Sequence, residues 1–384
     1  MRQSSLAKSF ILTCLTACLP LALAAQEGQG QFGSTVDVSE VLLDVVVTDR
    51  DGNVILGLQP EDFMVDDGER TVEVSSATFY SNRAFLESVA LASRLGLSPD
   101  EVPVDRFFIL FFHDPRTFFP ELVSEQLDAL RWARRWVHQE LLPNDFVAVA
   151  SYDYKLKIHQ DFTTDDEAIL KALDAFGRGK DPGSNWPSRV EAEEGPSLRQ
   201  NLPRGNELRK KTKKIYTALE TLSNAAAYII GRKNLLMFSI GFGEPGDFSD
   251  GTGFLTAQSS GRTNFGTYRV DERYYPPMME ALNDANVAVY AISLLKNTRN
   301  ENAAQSILAN SLSLLADDTA GKYYSNFLSF RDPMRRVVED NNGYYLLSYP
   351  TEFAHGDSGY RKVTVNTRNP DFVVRARQGY RFGD

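Results

Sequence analysis

The chain is poor in the residues from which catalytic and metal centres are usually built. Its 384 residues include two cysteines and four histidines. Both cysteines, Cys14 and Cys18, fall within the first 25 positions. Beyond them the sequence offers no disulfide, no thiol nucleophile and no zinc–thiolate site. The histidines, His113, His138, His159 and His355, show neither a His-x-x-x-His nor a His-Glu-x-x-His spacing. A Gly-x-Ser-x-Gly elbow and a Gly-Lys-Ser/Thr phosphate loop are missing as well. Excess positive charge is also absent: 41 Lys and Arg face 51 Asp and Glu, for a net charge of −10. That balance disfavours non-specific binding to nucleic acid or anionic lipid. The one basic cluster, RKKTKK at 209–214, reads as a solvated face opening a helix.

The N-terminus stands apart. Arg2 and Lys8 precede an apolar run from Phe10 to Ala25, ending in Ala22-Leu23-Ala24. This is the layout of a secretory signal peptide over 1–25, too short for a stable membrane span. An exported protein, secreted or periplasmic, is expected. Leu15-Thr16-Ala17-Cys18 offers an alternative, a lipoprotein signal with Cys18 as the acylated residue.

Residues 36–80 predict a small β module, with Asp-Gly turns at Asp51-Gly52 and Asp67-Gly68 between short strand patterns. Residues 81–103 form a connector. From 104 to 341 strands and helices alternate. FFILFF at 107–112 is apolar throughout, as a strand covered on both faces must be. A helix from Pro120 is expected to bury Leu127, Leu130, Trp136 and Val137. Further strands are predicted at 146–151, 235–240 and 287–295, with helices between them. The stretch 177–206, rich in Gly, Pro and charge, reads as an exposed insertion, and 251–275 as a second long loop. A C-terminal β unit follows over 342–384. The fold class expected is α/β: a Rossmann-like, doubly wound, mostly parallel sheet flanked by small β-rich modules. In such sheets ligands sit beyond the carboxyl ends of the strands. His113-Asp114-Pro115-Arg116-Thr117 occupies one such end.

EDFMVDDGER (61–70), GRKNLLMFSIGFG (231–243), YYLLSYP (344–350) and the final RKVTVNTRNPDFVVRARQGYRFGD carry a resemblance. With FFILFFHDPRT they make the chain similar to von Willebrand factor type A domains, and more narrowly to the VWFA-related proteins of Acidobacteria. That resemblance implies a Rossmann-like α/β sandwich between β-rich flanks, and it gives architecture rather than activity. It also directs attention to the loop after the first core strand, where metal-binding members carry Asp-x-Ser-x-Ser, supported by a Thr and an Asp from later loops.

Mg²⁺ takes about six oxygens in octahedral array. Read from His113, the three loop positions are His113, Pro115 and Thr117; read from Asp114, they are Asp114, Arg116 and Phe118. Neither register keeps more than one good ligand. After the fourth core strand the carboxylate position holds Ile240, between Ser239 and Gly241. Asp114, Thr117 and Ser239 are the only donors a metal would find, so no cofactor is expected. Asp114 and Arg116 are expected to pair with each other or to cap the following helix. The functional reading is recognition of an unknown protein partner by His113, Asp114, Arg116, Thr117 and Phe118, without catalysis. A divalent-cation-dependent adhesin and a cell-envelope hydrolase are the alternatives.

Overall fold

The computed structural model describes residues 36–81, 105–117, 120–182, 195–243, 270–296, 303–354 and 356–383. The signal segment with Cys18, the connector, Phe118 and most of the 251–275 loop lie outside the described residues. From the N-terminus come four strands: β1 (Val36–Thr48), β2 (Phe63–Asp67), β3 (Arg70–Val72) and β4 (Ser76–Ser81). The alternating region opens with β5 (Arg106–His113), α1 (Val123–Glu140), β6 (Asp145–Tyr152) and β7 (Leu156–Thr163). Helices α2 (Asp166–Gly177), α3 (Asn206–Lys211) and α4 (Ile215–Ala226) lead to β8 (Lys233–Ser239). Then follow α5 (Tyr275–Asp284), β9 (Val287–Ser293), α6 (Ala303–Asp318), β10 (Lys322–Tyr324) and α7 (Arg331–Asp340). Strands β11 (Gly343–Ala354), β12 (Gly359–Thr367), β13 (Val373–Ala376) and β14 (Gly379–Phe382) complete the chain.

The central sheet has the order β10-β9-β8-β5-β6-β7. Every neighbouring pair is parallel except β6 with β7. This is the expected Rossmann-like α/β sheet. Side chains of β5 alternate between its faces. Phe107, Ile109 and Phe111 enter one core with α4, α5 and α6, while Phe108, Leu110 and Phe112 enter the other with α1, α2 and α7. Two buried faces explain the unbroken apolar run. On α1 the buried stripe is Gln126, Ala129, Leu130, Ala133, Trp136 and Val137. Leu127, expected on that stripe, is exposed, because it lies one residue, about 100° of helix, away from Gln126.

Strand β7 was not anticipated. Its polar Lys157, His159 and Asp161 mask the strand pattern. The expected insertion at 177–206 is likewise less open than predicted: Leu198 and Leu202 are buried in the core. Asp161 fastens this stretch by accepting from Leu198 N at 2.9 Å, Arg199 N at 3.2 Å and Ser197 Oγ at 2.8 Å. RKKTKK closes α3 with Arg209, Lys210 and Lys211 and leads into α4 through its N-cap residue, Lys214.

The two β flanks, expected as two small units packed side by side, interleave strand by strand. β1 pairs with β11 and β13, β4 with β11, and β2 with β12, all antiparallel. The result is two four-stranded sheets, β13-β1-β11-β4 and β14-β12-β2-β3. Val41, Leu43, Val45 and Val47 from one meet Val65, Val363 and Val365 from the other in a shared core. Polar contacts join this sandwich to the α/β region. Asn286 donates to Asp44, and Arg377 donates to Asn283 O at 3.2 Å and Leu42 O at 2.7 Å. Beside them Lys233 is buried, with Nζ donating to Ile229 O at 2.7 Å. Burial pushes its pKa down to about 8, although the Asp44 carboxylate opposes the shift. Among the described residues no helix is long and apolar enough to cross a membrane.

Candidate functional site

After β5 the chain builds outward through β6 and β7, then returns with β8 to the opposite side of β5. The strand order therefore reverses between β5 and β8, and loops leaving these two strands diverge to leave a crevice at their carboxyl ends. His113 ends β5 and Ser239 ends β8, so the topology itself brings them together. His113 Nδ1 lies 2.8 Å from Ser239 Oγ. Gly241 N donates to the same hydroxyl oxygen at 3.0 Å, which leaves the hydroxyl hydrogen to be shared with Nδ1. Ser239 is fully buried, whereas His113 is the one partly exposed residue of its strand. Desolvation lowers the His113 pKa to about 4, outweighing the nearby Asp114 charge, so the ring is neutral at pH 7.

Asp114 turns the other way. Its backbone N donates to Tyr152 O at 2.9 Å, which continues the β5–β6 ladder past the strand end. Its carboxylate is buried and grips Arg116 across a single turn. Arg116 Nε reaches Oδ1 at 2.9 Å and Oδ2 at 2.8 Å, Nη2 also bonds Oδ2, and Arg116 N donates to Oδ1 at 3.0 Å. These bonds hold the Arg116 pKa above its ordinary value. The guanidinium also lies 5.3 Å from the centroid of Phe176. It passes close to Gly179, whose φ is +73° and whose added Cβ would stand 2.7 Å from Nη1. Of the two roles expected for Asp114, pairing with Arg116 is the one formed.

An ion network extends this rim over β6 and β7. Lys157 Nζ donates to Asp153 Oδ2 at 2.7 Å and also binds Asp181. Burial pulls the Lys157 pKa down, yet these two carboxylates outweigh it and the net shift is upward. His159 Nε2 sits 2.8 Å from Ser151 Oγ. Its pKa falls to about 4, first through burial and then through the Lys157 charge. Between β6 and β7, Tyr154 has φ +67° and is half exposed. Sequence reasoning missed this network and Tyr154. The Asp153–Lys157 spacing alone does not distinguish a strand turn from a helix, and a left-handed tyrosine leaves no sequence signal.

The site residues thus separate. Asp114 with Arg116, and His113 with Ser239, form two adjoining pairs at the switch point. Thr117 ends a short 3-10 turn, Pro115–Thr117. Phe118 lies outside the described residues. Both Asp114 oxygens hold the Arg116 guanidinium, and the Ser239 hydroxyl holds an imidazole nitrogen and a backbone amide. Among the described residues no group of three or more His, Cys, Asp or Glu is placed to hold a metal.

No known family profile matches the chain, and no curated protein does. Solved structures do resemble it. They include von Willebrand factor type A domains. One is the vWF domain of the type V pili tip protein Mfa5 from Porphyromonas gingivalis, at 10% identity and TM-score 0.36, covering 62% of this chain and 95% of that one. Another is a von Willebrand factor type A protein from Catenulispora acidiphila, at 7% identity and TM-score 0.35, covering 91% and 74% respectively. The manganese-loaded TRAP protein of Plasmodium vivax is also similar, at 7% identity and TM-score 0.35, covering 71% and 94%. At this distance they carry no inference about ligand or activity. The α/β assignment stands on the strand order of this chain.

Proposed function

We propose that this is an exported protein–protein interaction module, related to the VWFA-related proteins it resembles, which recognises its partner at the crest of the α/β sheet without a metal ion. The observation that carries the reading is the bidentate Asp114–Arg116 pair at the switch point. It spends the one carboxylate that the first loop offers. The exposed Tyr154, in the turn between β6 and β7, supports a contact surface, since aromatic and arginine side chains make effective interface anchors. Binding rather than turnover is supported by Ser239, whose buried hydroxyl is engaged by the His113 ring and Gly241 N.

Affinity capture from an envelope fraction, with the chain as bait, tests the proposal. A specific partner retained in EDTA and lost with Tyr154→Ser is the expected result. Capture abolished by EDTA and restored by Mg²⁺ would favour the cation-dependent adhesin instead.

A further inference from the structure

The basic cluster set aside as a solvated face has a definite place in the fold. α4 runs away from the crest before β8 returns to it, so RKKTKK stands at the carboxyl end of the sheet. Two bonds fix it there: Tyr152 Oη donates to Lys213 O at 2.7 Å, and Leu156 N donates to Thr212 Oγ1 at 3.1 Å. A second segment joins it. Lys214 Nζ lies 3.5 Å from Asp271 Oδ2 and 4.4 Å from the Tyr274 ring centroid. Arg273 reaches the same carboxylate at 3.1 Å and leaves most of its side chain exposed. Arg209, Lys210, Lys211, Lys213, Lys214 and Arg273 therefore form one patch on an otherwise acidic protein.

Local stability accounts for only part of this patch. Lys211 pairs with Glu207 at 3.0 Å, and cations at the end of α3 suit its dipole. Lys210 and Lys213 are exposed and make no ion pair among the described residues. Lys213 and Lys214 stand where α4 begins, a position whose dipole favours carboxylates, and the first turn of α4 has none. Positive charge is thus concentrated across two segments, partly against local preference. Such conflicts are expected at functional sites.

We infer that this basic crest docks an acidic protein segment, a short run of Asp and Glu side chains on the partner. The inference rests on the proposed protein-recognition role of the crest and gives the partner's chemistry. A long polyanion or an anionic bilayer fits less well. Glu207, Asp271 and Glu272 interrupt the patch, and the rest of the molecule is more acidic than the net −10. Screening acts over about 8 Å at physiological salt, so a short segment meets the patch while an extended polymer also meets the repulsive remainder.

Fluorescence anisotropy of a labelled oligoglutamate peptide against the whole chain tests this at low salt and at about 0.15 M. Expected is binding that weakens with salt and falls at least tenfold in Lys210→Glu/Lys213→Glu/Arg273→Glu. Arg70→Glu on the sandwich should leave it unchanged, and unfolding midpoints confirm that all variants are folded. Absence of binding, equal loss in both variants, or tighter binding to oligothymidylate or phosphatidylserine vesicles would overturn the inference. A captured partner held by the triple variant but lost with Tyr154→Ser would remove this inference and leave the crest reading standing.

Discussion

Lys233 gives the account a quantitative handle. It is buried between the β sandwich and the α/β sheet, and its pKa falls from the ordinary 10.5 to about 8. Holding the charged ammonium in the fold therefore costs roughly 3 kcal/mol. Below pH 8 both folded and unfolded chains keep the proton, and this cost is paid in full. Between pH 8 and 10.5 the unfolded chain retains a proton that the folded chain has released, so stability rises with pH. Lys233→Met removes the titration and the Nζ bond to Ile229 O, a loss of about 1 kcal/mol. At pH 7 the variant should be more stable than the parent by about 2 kcal/mol, and the sign should reverse above the titration. Urea unfolding at half-unit steps from pH 7 to 9.5, with parent and variant compared at each step, cancels contributions from other titrating groups. A difference that stays constant across that range would refute the reasoning. It would mean that water or Asp44 keeps the ammonium solvated.

Arg116→Ala strands the buried Asp114 carboxylate without its guanidinium. Because Arg116 is partly exposed, a loss of about 1–3 kcal/mol is expected rather than the full cost for a buried pair, and a double-mutant cycle with Asp114→Asn would measure the coupling. Gly179→Ala should cost about 1–2 kcal/mol by urea unfolding, since it meets both a left-handed φ and the Arg116 Nη1. His113 and His159 both hold pKa values near 4 in the fold, below the ordinary 6.5. Their contribution to stability is present above pH 6.5 and is lost as pH falls through 4. Ring nitrogen shifts measured by NMR should show both imidazoles neutral at pH 5.5, and the paired Gln variants should flatten the acid limb of the stability profile.

The core of the α/β region was legible because each strand carries its own evidence. FFILFF is apolar on both faces, α2 ends at Gly177 and α1 stops shortly before Pro143. β7 was hidden because its polar residues are buried through partners far along the chain, Lys157 with Asp181 and Asp161 with Leu198. The interleaved sandwich was hidden for a related reason. The register that sets Val41 opposite Tyr349 joins residues about 300 positions apart, and no local pattern encodes it. At the site, the Asp114–Arg116 pair could be anticipated from spacing alone. The His113–Ser239 contact depends on β8 returning beside β5, which only the topology supplies. The basic cluster was visible in sequence, but its position at the crest was not.

The central claim is that recognition at this crest needs no ion, and calorimetric titration of the chain with Mg²⁺, Mn²⁺ and Ca²⁺ tests it most directly. No binding heat is expected, either from the parent chain or from Asp114→Ala. Micromolar binding to the parent that vanishes in Asp114→Ala would contradict the account.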